Sequence, residues 1–217
     1  MEYIKRKIGF LTYSNIEVFD IFKAWIAISI AFGIVLGGLT TKFFTAFLIS
    51  AIAVGLGFLL HELNHKFVAQ KYRFKAEFRS FDEMLFLAIV MSFFGFVIAA
   101  PGAVMIQSNF HDKTKAGKIS VAGPIMNLIL ASLFFIILIL LTGSISGAMN
   151  LNGQISKNVL DMPLIYAIPI IGFSVNSWLA LFNMIAFWIF DGAKIFSWNK
   201  TVWGLVTLIS IAFVFLL

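Results

Sequence analysis

His61-Glu62-Leu63-Asn64-His65 sets two imidazoles four positions apart, with a carboxylate directly after the first. On a helix, residues i and i+4 share a face, so both rings can reach one cation. Glu62 then stands beside that cation, placed to take a proton from a bound water. Zinc suits the pair, because catalytic zinc commonly has three protein ligands and one open position, and it brings the pKa of its water to about 7. Cysteine is absent, which excludes thiolate metal sites, cysteine nucleophiles and disulfide scaffolds together. A polar helix end at a membrane interface is the bland alternative. The motif closes the apolar run Phe43–Leu60, where ionisable groups are costly and usually functional, and this favours the metal site.

A third ligand has to come from another segment. Asp20, Asp82 and Glu83 have basic neighbours and read as solvated charges, as does Asp112 after His111. Asp191 differs, because it follows the long apolar run Pro163–Phe190 and precedes Gly192. Other catalytic chemistries fit poorly. A serine mechanism needs a histidine free of the i,i+4 pair, and Ser174 in Gly172-Phe173-Ser174 reads as a helix-packing residue. An aspartyl mechanism needs two aspartates at membrane depth, and Asp191 is alone there. The glycines around Gly33–Gly38 and Gly55–Gly57 read as close helix contacts rather than phosphate loops.

The elements that carry these residues are membrane helices. Of 217 residues, 61% are hydrophobic and 12% charged, with a mean hydropathy of +1.00. Soluble domains carry about 25% charged residues, so composition points to an all-α polytopic membrane protein. Nucleic acid is excluded as a partner despite a pI near 9.6, because the basic residues flank apolar runs and form no continuous patch. Five runs are candidate spans: Trp25–Leu39, Phe43–Leu60, Ile119–Leu141, Pro163–Phe190 and Val202–Leu217. Met84–Ala100 contains Gly95 and runs into Pro101-Gly102, so it either spans as a sixth helix or dips in and returns. If it returns, fourteen of the sixteen basic residues share the N-terminal side, leaving Lys42 and Lys157 opposite. The positive-inside rule favours that arrangement. It also puts Asp191 at the same membrane face as His61 and His65, whereas a spanning Met84–Ala100 would separate them. The first apolar run follows Lys5-Arg6-Lys7 and lacks a small-residue cleavage site after it, so it is expected to be a retained anchor. The expected organisation is a single integral-membrane domain over 1–217 with its core at about 43–192.

His61-Glu62-x-x-His65-Lys66-Phe67-Val68-Ala69 resembles the zinc helix of the site-2 protease family of intramembrane metalloproteases. Asn183-x-x-Ala186-x-x-x-x-Asp191-Gly192 resembles that family's second signature, Asn-x-x-Pro-x-x-x-x-Asp-Gly. The resemblance implies Asp191 as the third zinc ligand and Asn183 as a polar group at substrate or the tetrahedral intermediate. It also implies that Ala122-Gly123-Pro124 is a small-residue motif near the start of the intervening core helix. The stretch from Lys75 to Ile106 then corresponds to a membrane-associated sheet and loop that takes substrate as an added strand. One position departs from the signature. Proline would break the helix there, whereas Ala186 is the best helix former. Ala186→Pro is therefore expected to raise activity or tighten zinc binding, unless Gly192 already supplies the bend.

The expected function is zinc-dependent cleavage of membrane-spanning protein substrates, with zinc on His61, His65 and Asp191 and Glu62 as the base. Asn64, Asn127, Asn176 and Asn183 are expected to line a water path. The expected location is a prokaryotic cell membrane, with the N-terminus and the metal site toward the cytoplasm and the lipid bilayer as surroundings. A membrane scaffold that keeps the zinc without efficient catalysis is the alternative. A prenyl-protein type zinc protease is disfavoured, since it needs a second intramembrane Glu besides Glu62. The topology is checked by reporter tags: those at Asn109 and Asn199 should be cytoplasmic and one at Asn152 on the opposite face. Asn109 and Asn152 on one side would break the arrangement.

Overall fold

The structure is a computed structural model that describes residues 4–97, 101–107, 112–152, 159–187 and 189–216. Asn109, His111, Lys157 and residues 98–100 of the run Met84–Ala100, invoked above, lie outside the described residues. The chain opens with an antiparallel hairpin, β1 (Lys5–Ile8) and β2 (Leu11–Ser14), which leads directly into α1 (Asn15–Gly37). Ser14 caps that helix by accepting from the Glu17 N–H at 3.0 Å, which satisfies one of the amides left free at a helix start. Ser14-x-x-Glu17 has the form of a capping box, yet the Glu17 carboxylate is used elsewhere, as described below.

Next comes α2 (Phe43–Ser50), which continues through a π turn at Ala51–Gly55 into α3 (Leu56–Lys71), the helix that bears both histidines. A π turn puts an extra residue into the helical repeat and is often found at functional sites. Its displaced carbonyls have partners: Trp25 Nε1 donates to Ala51 O at 2.9 Å, and Asn176 Nδ2 to Ala53 O at 3.2 Å. After α3, β3 (Lys75–Ser80) pairs antiparallel with β4 (Gly102–Gln107), with α4 (Asp82–Ser92) between them. The register runs from Lys75↔Gln107 to Ser80↔Gly102, so the excursion from 81 to 101 leaves and re-enters at one point. Eleven residues of helix reach about 16 Å, against about 30 Å of hydrocarbon. The described residues 84–97 therefore do not cross. They belong to the return loop that the charge distribution favoured.

Asp112 caps α5 (Lys113–Ser120) by accepting from the amides of Thr114 and Lys115. The Lys115 amide foremost, with its ammonium, holds the Asp112 carboxyl below its ordinary pKa. Then follow α6 (Ala122–Thr142), α7 (Ile145–Asn152), α8 (Leu164–Asn183), α9 (Asp191–Trp198) and α10 (Lys200–Phe215). Four stretches are long and apolar enough to cross a membrane: Asn15–Gly37, Phe43–Lys71, Lys113–Thr142 and Leu164–Asn183. Lys200–Phe215 is a shorter apolar helix. The fold is thus largely helical, with two small sheets among the described residues. Ile28, Ile49, Val54, Leu138 and Ile170 form the main core, while Leu133, Ile136 and Leu140 of α6 face outward, as lipid contact requires. Lys42 and Asp161 pair at 2.5 Å at the end of the bundle away from the histidines.

Two sequence readings need correction. Asp20 is buried, accepting from Ser80 Oγ and pairing with Lys23 and Arg79, so it is not a solvated charge. The run Pro163–Phe190 is not one helix, because α8 stops at Asn183 although residue 186 is alanine. The break has other supports. Trp203 Nε1 on α10 donates to Met184 O at 2.7 Å, pairing a carbonyl that the helix no longer serves. Buried Met184 packs with Val121, Ile195 and Val206, anchoring the segment. Gly192 lies so close that an added Cβ would strike the Met184 carbonyl and Ile185 O. The bend is therefore already formed, and the reason for a gain from proline disappears. Ala186→Pro should leave zinc retention within about threefold of the parent chain. Gly192→Ala should lose zinc, because the Asp191 turn must move. Metal content of the two purified variants, measured beside the parent, checks both.

Candidate metal centre

His61 and His65 lie one turn apart on α3, and Asp191 is the first residue of α9. All three are close to fully buried. His65 Nε2 lies 3.0 Å from His61 Nε2 and 3.0 Å from Asp191 Oδ2, and His61 Nε2 lies 3.3 Å from the same oxygen. Zinc bonds of about 2.0–2.2 Å in a tetrahedron require donor atoms roughly 3.3–3.5 Å apart. The triangle is within a few tenths of an ångström of that requirement. Among the described residues, this is the group of histidines and acids that could hold a metal ion. The donor set of two imidazoles and one carboxylate suits zinc.

The histidines are oriented through their other nitrogens. His65 Nδ1 lies 2.8 Å from Ile119 O, a carbonyl that can only accept, so Nδ1 carries the proton and Nε2 presents its lone pair. His61 Nδ1 lies 2.5 Å from Asn127 Oδ1. The direction of that amide is set by its other end, where Nδ2 donates to Gly57 O and to Asn176 Oδ1. Asn176 Nδ2 in turn donates to Gly172 O and to Ala53 O in the π turn. A chain of amides therefore runs from the π turn to the metal-facing imidazole. Sequence reasoning placed Asn127 and Asn176 on a water path. Both are fully buried, and their amides are used in holding helices and His61 in place. Asn64 likewise donates to Ala122 O at 2.6 Å. The signal that would have found Asn127 is its spacing of four from Gly123, on the same face of α6.

Gly123 explains the small-residue motif at the start of α6. A Cβ built on it would lie 2.5 Å from both His61 Nε2 and His65 Nε2. The α6 backbone forms the wall against the ligand nitrogens, and a methyl group there would fill the space a metal ion needs. Glu62 points elsewhere. Its Oε2 accepts from the Val104 N–H of β4 at 3.0 Å, which places its carboxylate between α3 and the sheet. Asn183 Nδ2 donates to Leu179 O at 2.9 Å, on its own helix. The structure thus brings His61, His65 and Asp191 together, sets Glu62 beside them on the sheet edge, and leaves Asn183 at the end of α8.

A polar group next to the ligands ties the rest of the fold to the metal helix. Lys66, one of the basic residues counted above on the N-terminal side, is buried, and its Nζ donates to both Glu17 oxygens at 2.7 Å. Glu17 Oε1 also accepts from the Phe78 N–H of β3 at 2.9 Å. Gln70 bonds the Thr12 backbone of β2 in both directions and donates to Ala76 O of β3. Hairpin, first helix, metal helix and sheet are joined by these contacts.

A model of peptidase family M50 matches residues 49–207. A Methanocaldococcus jannaschii protein, described by name as a candidate zinc metalloprotease, is 40% identical over 164 residues, 75% of this chain and 76% of that protein. No solved structure matches the chain. Asn127→Leu should weaken zinc binding by about 10–100-fold, the usual cost of losing a partner behind a metal-bound histidine. Gly123→Ala should abolish binding. Competition of each folded variant with a zinc chelator measures both effects, and parental affinity in either would remove that residue from the centre.

Proposed function

Since the chain belongs to peptidase family M50, the site-2 protease family, we propose that it is an intramembrane zinc endopeptidase that cleaves membrane-spanning segments of other proteins. The observation that carries this reading is the position of Glu62, between the two histidines' helix and the outer edge of β4. A peptide laid along that edge would pass both the metal ligands and a carboxylate able to move protons.

His61, His65 and Asp191 would hold the zinc ion, which when bound supplies Lewis-acid polarisation of water and of the scissile carbonyl. Glu62 takes the proton from the attacking water and later delivers it to the leaving amine nitrogen. Asn183, turning its amide away from Leu179 O, donates to the carbonyl oxygen as negative charge develops there. The substrate helix must unwind locally, since its carbonyls are otherwise hydrogen-bonded. Strand addition to β4 offers the unwound backbone replacement partners. The outer edge of β3 is closed, with the Phe78 N–H held by Glu17 and Ala76 O by Gln70, so β4 is the edge that takes substrate. The excess of basic residues on one side supports an orientation with the metal end toward the cytoplasm of a cell membrane. The scaffold alternative rested on Ala186, and the helix break formed without proline removes that support.

Glu62→Gln tests the reading. The variant should retain zinc and fold, while cleavage of a membrane-spanning test substrate falls by about 10²–10⁴-fold, the range for loss of a general base. Undiminished turnover would remove Glu62 from the mechanism. Zinc retention with no cleavage by the parent chain itself would favour the scaffold.

A further inference from the structure

The two strands of the sheet expose backbone groups in a strict alternation. Phe78 and Val104 are register partners, yet each sends its N–H away from the other, to Glu17 and to Glu62 respectively. They are therefore a non-hydrogen-bonded pair, and on β4 the N–H and C=O of residues 102, 104 and 106 face outward. Each outward N–H of this pair is thus covered by a carboxylate. The two covers differ in kind. Glu17 is fully buried and paired with Lys66, which makes the β3 cover permanent. Glu62 is the proposed general base, and its Oε2 lies 3.0 Å from Val104 N. A carbonyl of an added strand would sit about 2.9 Å from the same nitrogen. Two acceptor oxygens cannot occupy that place together.

We propose that Glu62 is parked on the Val104 N–H in the resting protein, and that a substrate strand pairing with β4 displaces it toward the metal ligands. This deepens the protease reading and rests on it. The base is then withheld from water until a peptide is docked, so one backbone amide couples docking to activation. Val104 is a positioning residue, acting through its N–H alone, and its side chain faces the sheet core with Leu85 and Phe78.

The test uses the full zinc-loaded chain in lipid nanodiscs. The probes are a model transmembrane peptide and the same peptide with its scissile carbonyl reduced to methylene. The carboxylate band of Glu62 is assigned by infrared difference against Glu62→Gln. In the parent chain this band should shift when the reduced peptide is added. Replacing Val104 by its α-hydroxy acid turns the 103–104 amide into an ester, which removes the N–H and keeps the side chain. In that variant the band should already be shifted without peptide. For cleavage, its KM should rise about 3–10-fold, the loss of one hydrogen bond, with kcat held within twofold. The same ester at Met105, whose N–H faces β3, should leave the resting band in its parental position. A band that does not move in a parent chain that cleaves the peptide overturns this proposal and leaves the protease reading intact. So does a fall in kcat at constant KM, or an equal band shift from both esters. Failure of the parent chain to cleave the peptide overturns both readings.

Discussion

Two imidazole nitrogens and a carboxylate oxygen within about 3 Å of one another, deep in an apolar bundle, impose the central constraint on this fold. Lone pairs brought so close repel unless a cation sits among them, and a group withdrawn from water must find partners or cost several kcal/mol. Every other polar nitrogen of the two histidines is accordingly paired, through Ile119 O and Asn127 Oδ1. The demand passes outward to Asn176, to the π turn and to Gly57 O. These bonds cross from α3 to α6 and α8, so the arrangement of the bundle and the orientation of the ligands are one problem with one solution.

The same constraint explains the broken helix. Asp191 can reach the histidines only if the chain stops being helical after Asn183, and the carbonyls released there need donors in a medium without water. Trp203 supplies one for Met184 O, and Gly192 lets the following turn press against the freed backbone. A proline is one way to force such a break, and here side-chain and packing contacts from α10 and α9 do the same work. The zinc helix is fixed on its other side by Glu17–Lys66 and Gln70, which also set where the sheet lies. Glu62 therefore meets β4 because of contacts that begin at the N-terminal hairpin.

Much of this could be read before any coordinates. The i,i+4 histidines, the acid after a long apolar run and the asymmetry of basic residues point to the candidate metal group, the apolar helices and the returning loop. Such features are legible because they depend on local spacing and on partition between water and lipid, which a linear sequence encodes directly. Asp20 was misread as a solvated charge and Asn127 and Asn176 as lining water, and the burial of Lys66 went unseen. A residue's type does not say whether a partner waits for it elsewhere in the chain, 49 positions away in the case of Glu17 and Lys66.

By itself, then, the sequence supplied the paired histidines, from local spacing, and the apolar helices, from hydropathy, while Asp191 joined them through its place after an apolar run and the family resemblance. Only the tertiary structure decided that Gly123 is the wall of the metal site, that Trp203 and Gly192 replace a proline, and that Glu62 rests on Val104. Each of these is a contact between segments far apart in the chain. Hydrogen bonds and close packing reach only a few ångströms, so which distant groups meet is settled by how the helices pack.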